Sequence, residues 1–219
     1  MRRSEDLELM ESQDVSDETL AEGYHQLQAT NRWLGNTHAV LRALRSGPTP
    51  IGRVLDIGCG QGGLLLEIRR RLHVDVIGFD LRPAPPDSPV PIVSGNAVTD
   101  PLPEADVAVC VMTAHHLSEA DLAKLIQNVS RSCTRLIVLD LVRHPVPLWL
   151  FRIFVAPFLG RMNALDGSTS IRRAFTADEM HTIVARALEQ GERKVSSVRH
   201  TVAPFWTRQI VDISWSARS

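Results

Sequence analysis

The stretch VLDIGCGQGG, residues 54–63, joins a short apolar run to a cluster of closely spaced glycines. Residues 53–57 are apolar enough to form a buried strand, and residues 63–72 have the pattern of a helix. Glycine has no Cβ, so Gly58 and Gly60 allow positive φ and let the backbone approach a ligand closely. The first N–H groups of the following helix would point at that ligand. The stretch therefore predicts a strand–turn–helix unit that binds a small molecule.

Short apolar runs and helical patterns alternate after this unit. The predicted strands of this region are residues 53–57, 74–79, 90–94, 106–112 and 135–140. Capping pairs, Ser118 with Asp121 and Thr176 with Glu179, predict the starts of two further helices. The tail contains two strand-like runs, 194–202 and 206–214. The pattern predicts the α/β class: a Rossmann-like, doubly wound, mostly parallel seven-stranded sheet with a C-terminal antiparallel hairpin and a helical cap.

The regions outside this alternation have less regular patterns. Residues 1–15 are polar with no clear period, which predicts a loose segment, and Ser16 is placed to cap a helix. The apolar stretch 146–160 fits a packed core helix, the apolar wall of a substrate pocket or, as a third alternative, a contact with a membrane surface. Residues 164–173 have the composition of a polar loop.

Composition excludes several classes of protein. The chain has 219 residues and a formal net charge of -1, so it lacks the basic excess typical of nucleic-acid binders. Cys59, Cys110 and Cys133 show neither a metal-ligand spacing nor an even count for disulfides, so no metal is expected and a reducing compartment is favoured. No signal peptide is evident, and the most apolar stretch is too short to span a bilayer. We therefore expect a cytoplasmic protein with no integral membrane segment.

The glycine spacing fits two kinds of nucleotide ligand. Gly58, Gly60 and Gly63 satisfy the dinucleotide pattern GxGxxG, whereas Gly58, Gly60 and Gly62 satisfy GxGxG. Asp56 favours the second, because a carboxylate here would repel a pyrophosphate but attract an ammonium or a sulfonium.

VLDIGCGQGG resembles motif I of the class I S-adenosylmethionine-dependent methyltransferases. Residues 166–176 resemble a loop in a bacterial subgroup of small-molecule methyltransferases that is related to the ubiquinone and menaquinone methyltransferases. The resemblance covers roughly residues 50–215. It implies S-adenosylmethionine as the cofactor and makes Asp80 the acceptor for the ribose hydroxyls. Asn96 and Ala97 match the family's adenine-contacting Gly-Asp-Ala segment, with Asn in place of Asp. The implied cofactor-binding residues are Asp56, Gly58, Cys59, Gly60, Gln61, Asp80, Leu81, Asn96, Ala97 and Met112.

The resemblance also divides the chain and places the chemistry. Residues 1–46 would be an N-terminal segment with lid helices, and 47–219 the methyltransferase domain with an apolar cap insert at 146–174. In this family the segment that begins at Met112 borders the methyl group. We therefore expect His115 and His116 to be catalytic.

The expected partner is a small-molecule acceptor, with no nucleic acid, and a homodimer stays possible. The expected reaction is O-methylation of a small apolar or aromatic hydroxyl compound. The alternatives are C-methylation of a quinol or polyketide ring and a catalytically silent S-adenosylmethionine-binding module. An NAD(P)-dependent oxidoreductase is disfavoured, because the single tyrosine, Tyr24, precedes the sheet and forms no Tyr-x-x-x-Lys pair.

Overall fold

The computed structural model describes residues 1–11, 16–47 and 50–216, and its centre is one seven-stranded sheet. The strand order is β3-β2-β1-β4-β5-β7-β6. Strands β1 to β5 pair in parallel, and β7 pairs antiparallel with β5 and β6. The strands are β1 Arg53–Ile57, β2 Asp75–Asp80, β3 Ile92–Ser94, β4 Ala105–Val111, β5 Cys133–Asp140, β6 Val195–Val202 and β7 Gln209–Trp215. The predicted fold, including its C-terminal hairpin, is confirmed.

Helices cover both faces of this sheet. They are α1 Asp17–Trp33, α2 Asn36–Arg45, α3 Gly63–Leu72, α4 Glu119–Ser132, α5 Pro145–Phe154, α6 Arg161–Arg173 and α7 Ala177–Glu189. Helices α4 and α7 pack in the core on one face, and α2 and α3 pack in the core on the other. Strands β1 and β4 are therefore buried on both sides, which explains their nearly continuous apolar sequences.

Local sequence fixes the starts of several helices. The Ser16 side chain accepts a hydrogen bond from the Thr19 backbone N–H and caps α1. Ser118 caps α4 in the same way. At α7, Thr176 and Glu179 form the reciprocal capping box that the sequence predicts.

The strand order reverses between β1 and β4, because the chain runs outward from β1 to β3 and then returns to the other side of β1. At such a switch point the loops after neighbouring strands separate and leave a crevice at the carboxyl ends of the strands. The glycine-rich turn after β1 lies at this crevice. The topology thus positions the site.

The described N-terminal residues 1–11, here called the N-terminal strap, are held against the domain rather than loose. The backbone N–H groups of Leu9 and Met10 donate to the Asp166 carboxylate at 2.7 and 3.0 Å. Arg3 donates to the backbone carbonyls of Arg173 and Leu117 at 2.6 and 2.7 Å. The expectation of a loose segment is therefore wrong for residues 1–11, and residues 12–15 lie outside the described part of the chain.

The prediction of a polar loop at residues 164–173 is also wrong, because these residues form most of α6. Their composition is poor for a helix, but contacts with other segments require these small and polar side chains. Gly167 leaves room for the Phe151 ring, which a Cβ would approach to 2.3 Å. The Ser170 hydroxyl donates to Glu8 of the strap at 2.7 Å. Packing against the strap and α5 thus outweighs intrinsic propensity.

The apolar stretch 146–160 forms α5 and a short 3-10 turn. Phe151 and Val155 are buried together with Ile171, whereas Trp149 is 61% exposed and Phe158 is 84% exposed. This stretch therefore packs on its inner side only. Among the helices that the structure describes, none combines the length and the apolar character needed to cross a bilayer.

Candidate active site

A cavity of about 350 Å³ lies at the carboxyl ends of β1, β2 and β4, beneath α1 and the strap. Every residue that the sequence assigned to cofactor binding lines it: Asp56, Gly58, Cys59, Gly60, Gln61, Asp80, Leu81, Asn96, Ala97 and Met112. His116 lines it as well, but His115 does not. None of the described residues of the stretch 146–160 reaches it, so this stretch is not the wall of this cavity.

The glycine-rich turn has the backbone conformation that its sequence predicts. Gly58, Gly60 and Gly62 have φ of 73°, 53° and 78°, a region that other residues avoid. A Cβ on Gly60 would lie 3.1 Å from the ring of Tyr24 on α1. The turn therefore needs glycine both for its path and for the approach of α1.

Asp80 connects the end of β2 to this turn. Its Oδ2 accepts a hydrogen bond from the Gly60 backbone N–H at 2.8 Å, and its Oδ1 accepts one from the Arg82 N–H at 3.0 Å. Each carboxylate oxygen keeps a second lone pair for another donor. Asp80 is thus held in place at the cavity with capacity to accept hydroxyl hydrogen bonds.

Asp56 is a buried carboxyl at the end of β1, with 3% of its surface exposed. Burial, with a smaller contribution from the charge of Asp80, raises its pKa well above the ordinary value. In the described part of the chain, no hydrogen-bond donor offsets this burial. A cationic ligand in the cavity would stabilise the ionised carboxylate.

Asn96 organises the loop that follows β3. Its Oδ1 accepts from the Val98 backbone N–H at 2.9 Å, and its own backbone N–H donates to Asp100 at 2.8 Å. The side-chain oxygen is therefore engaged within the loop, and the NH₂ group is the part that can donate to a ligand.

Met112 follows β4 in an unusual backbone conformation. Its φ is 55°, although it is not glycine, and its N–H donates to the Leu139 carbonyl at 2.8 Å. Non-glycine residues in this region cost free energy and cluster at functional sites. This conformation brings Met112 to the lining of the cavity.

His115 is almost completely buried and lies between two carboxyl groups. Its Nδ1 is 2.7 Å from Oδ1 of Asp140, and its Nε2 is 3.4 Å from Oε1 of Glu8. Burial alone would lower the pKa of His115, but Asp140 and Glu8 together raise it to about 10. In this state His115 holds a proton between two carboxylates and does not face the cavity.

His116 is the histidine at the cavity, and its ring centre lies 4.2 Å from that of His115. Its Nε2 is 4.0 Å from Oε2 of Glu8. His144, the next histidine along the chain, lies apart from them, where it caps α5 and stacks on Trp206. The structure thus brings two of the three histidines together.

The roof of the cavity was only partly predictable. Helix α1 contributes Tyr24, Leu27 and Asn31, and the strap contributes Glu8 and Met10. The lid role of the first helix stays a prediction. Glu8 was missed because it is far from the motifs in sequence, and its position within the apolar run Leu-Glu-Leu-Met was the only local signal.

Comparisons with known proteins assign the chain to a family. A family model described as a methyltransferase domain matches residues 25–147, more than half of the chain. No curated protein gives a significant match.

Solved structures resemble the chain in fold at low sequence identity. The plantazolicin methyltransferase BpumL, solved with S-adenosylhomocysteine, has a TM-score of 0.66 and 13% identity, and the match covers 91% of each chain. Human N-acetylserotonin methyltransferase, solved with S-adenosylmethionine, gives 0.58 and 17%, covering 86% of this chain and 53% of that one. A putative O-methyltransferase from Nostoc punctiforme gives 0.58 and 14%, covering 83% and 56%.

The family match and the shared fold agree with the motif at residues 54–63. The chain therefore belongs to the methyltransferase-domain family, and its fold is that of the class I S-adenosylmethionine-dependent methyltransferases.

Proposed function

We propose that the cavity binds S-adenosylmethionine and that the protein methylates the hydroxyl oxygen of a small, largely apolar acceptor. The methyltransferase family supports the reaction type and the cofactor. The acceptor and the roles of individual residues are proposed from the lining of the cavity.

The lining fits a cofactor with a ribose, an adenine and a cationic amino-acid tail. Asp80 has free acceptor capacity for ribose hydroxyls, and the Asn96 amide can donate to an adenine nitrogen. The buried Asp56 carboxyl lacks a donor within the described chain, and an ammonium or sulfonium would supply a positive charge beside it. When bound, S-adenosylmethionine supplies a methyl group that is activated by a sulfonium.

One observation carries the proposal for oxygen: His116 and Glu8 line the same cavity as the cofactor residues. A phenol has a pKa of about 10, so its attack at neutral pH benefits from a group that takes or stabilises its proton. His116 is placed to act on an acceptor hydroxyl, with the Glu8 carboxylate beside it. His115, buried behind them, is a positioning residue for Glu8.

The rest of the lining favours an apolar acceptor. Met10, Leu27, Leu64, Leu117 and Leu125 contribute apolar side chains to the cavity. Such walls exclude water and hold the acceptor in line with the methyl group, which is how binding contributes most to this type of displacement.

Two experiments test this proposal. Calorimetry with S-adenosylhomocysteine, S-adenosylmethionine and NADPH should show binding of the first two only. Incubation with a phenol library and S-adenosylmethionine carrying a ¹³C-labelled methyl group should give products whose label NMR assigns to oxygen. His116→Ala should lower turnover about a hundredfold with cofactor affinity near normal, whereas His38→Ala, an exposed histidine on α2, should change neither.

Different results would contradict different parts. Binding of NADPH in place of the first two would refute the cofactor site. A label on a ring carbon or on a peptide would refute the oxygen assignment and leave the cofactor site standing.

A further inference from the structure

Three potential metal-binding side chains meet where the strap crosses the end of β4. Glu8, His115 and His116 each offer one donor atom, and these three atoms lie within 4.8 Å of one another. Glu8 and His115 are buried and His116 is partly buried. We propose that these three residues bind one divalent ion of borderline softness, Zn²⁺ in particular.

The separation of the buried pair also fits two ligands of one ion. His115 Nε2 and Glu8 Oε1 are 3.4 Å apart. A hydrogen bond between an imidazolium and a carboxylate is normally about 2.7–2.9 Å long. Two ligands about 2.0–2.1 Å from a tetrahedral zinc ion lie about 3.4 Å apart. The 3.4 Å separation therefore matches the edge of a tetrahedral site.

The third ligand needs only a small adjustment. His116 Nε2 lies 4.0 Å from Glu8 Oε2, and 28% of its side chain is exposed. This distance exceeds the separation of two ligands on one ion, and the partly exposed ring of His116 would rotate toward Glu8 to close it. The two histidine rings already lie side by side.

Neighbouring groups orient the ligands as they do in known metal sites. Asp140 Oδ1 lies 2.7 Å from His115 Nδ1, and Oδ2 accepts from the His115 backbone N–H at 2.7 Å. A carboxylate on Nδ1 fixes the tautomer that presents the Nε2 lone pair to an ion. The Ser170 hydroxyl donates to Glu8 Oε1 at 2.7 Å and fixes that carboxylate. Both buried ligands therefore have an outer partner.

Charge also favours a doubly positive ion. Glu8 and Asp140 are two buried carboxylates around one histidine, and an uncompensated buried charge is costly. The nearby Arg3 guanidinium is engaged with the backbone carbonyls of His115 and Leu117. A divalent ion would add positive charge between these two carboxylates.

The donor set selects the ion. Two imidazole nitrogens and one carboxylate suit zinc, whereas magnesium requires an octahedral shell of oxygen atoms. Three protein ligands leave the fourth position open, and Glu8 and His116 place that position at the cavity. If the proposed function holds, the ion would lower the pKa of an acceptor hydroxyl bound there and let it release its proton to solvent, with His116 holding the ion rather than taking the proton itself. Binding of the ion itself does not depend on that function.

Sequence spacing could not reveal this site. The two histidines are adjacent in sequence, but strands β1 to β4 lie between them and Glu8. The three residues therefore form no short metal-ligand motif. Only the path of the strap brings the carboxylate to the histidines.

The test uses the whole protein after removal of metal with a chelator. Calorimetry with ZnCl₂ should show one equivalent of Zn²⁺ per chain, and Co²⁺ should give the visible absorption of a tetrahedral site. Glu8→Gln and His116→Ala should each weaken Zn²⁺ binding at least tenfold and remove the Co²⁺ spectrum. Glu22→Gln and His38→Ala are matched controls on exposed residues of α1 and α2, and they should bind as the wild type does.

Three outcomes would overturn the proposal: no stoichiometric Zn²⁺ or Co²⁺ binding, binding that both site variants retain, or binding of Mg²⁺ in preference to Zn²⁺. Circular dichroism would show whether the variants are folded. If Glu8→Gln does not fold, His116→Ala, the substitution at the least buried ligand, still tests the site. Binding of S-adenosylhomocysteine, measured in the same samples, reports on the cofactor site separately.

Discussion

The Asp80 carboxylate accepts a hydrogen bond of 2.8 Å from the backbone N–H of Gly60. This bond joins the end of β2 to the turn after β1, the two segments that the family resemblance assigns to the cofactor. Asp80 therefore has two tasks, since it shapes the turn and presents acceptor atoms to the cavity.

Asp80→Ala should weaken S-adenosylhomocysteine binding by about 1–3 kcal/mol, because buried ribose hydroxyls would lose their acceptor. Calorimetry measures this loss directly. Asp75→Ala is the matched control, because Asp75 begins the same strand with 80% of its side chain exposed. Equal affinities in all three proteins would show that the ribose does not bind at Asp80.

The raised pKa of Asp56 predicts that cofactor binding depends on pH. A bound cation favours the ionised carboxylate, so the pKa of Asp56 should be lower in the complex than in the free protein. Binding then releases protons, and affinity should increase as pH rises toward and through the pKa of the free protein. Calorimetry in buffers of different ionisation enthalpy would count those protons.

Asp56→Asn keeps the shape of this side chain and removes its charge. It should bind S-adenosylmethionine more weakly and lose the proton release that is assigned to Asp56. If the variant releases as many protons as the wild type, another group is titrating.

Gly60→Val should abolish cofactor binding while the sheet still forms. The substitution places a branched side chain at φ 53° and beside the Tyr24 ring. Gly35→Val is a control with comparable backbone strain, because Gly35 has φ 77° but does not line the cavity. Circular dichroism should show that both variants are folded. Calorimetry should show that Gly35→Val binds the cofactor and that Gly60→Val does not. Normal affinity in Gly60→Val would remove this turn from the cofactor site.

Asp166→Ala should release the strap from α6. The variant loses the acceptor for two backbone N–H groups, at Leu9 and Met10, and each hydrogen bond to a charged group is worth about 1.5–3 kcal/mol. Hydrogen exchange of residues 1–11 should become faster, and urea unfolding should require less denaturant. Asp178→Ala, at an exposed position at the start of α7, should change neither. Unchanged exchange would mean that other contacts hold the strap.

The parts of the fold that the sequence predicted are those determined by contiguous residues. Strand β1 and helix α3 have the predicted bounds because a buried strand, a glycine turn and a helix follow one another without interruption. The predicted cofactor residues line one cavity for the same reason, since each lies at the end of a recognisable strand.

The parts that were missed depend on contacts between distant segments. Helix α6 looked like a loop because Asp166, Gly167 and Ser170 are weak helix formers, yet each of them contacts the strap or α5. Glu8 gave no functional signal because strands β1 to β4 separate it in sequence from its partners, His115 and His116. The apolar periodicity of a segment indicates which of its faces is buried. It carries no information about which distant segment packs against that face.

The left-handed conformation of Met112 has a consequence for engineering. A side chain in this region costs of the order of 1 kcal/mol, which glycine would not incur. Met112→Gly would relieve this strain, but it would also remove a side chain that packs against the core and lines the cavity. A thermostabilised variant should therefore keep Met112 and gain its stability elsewhere.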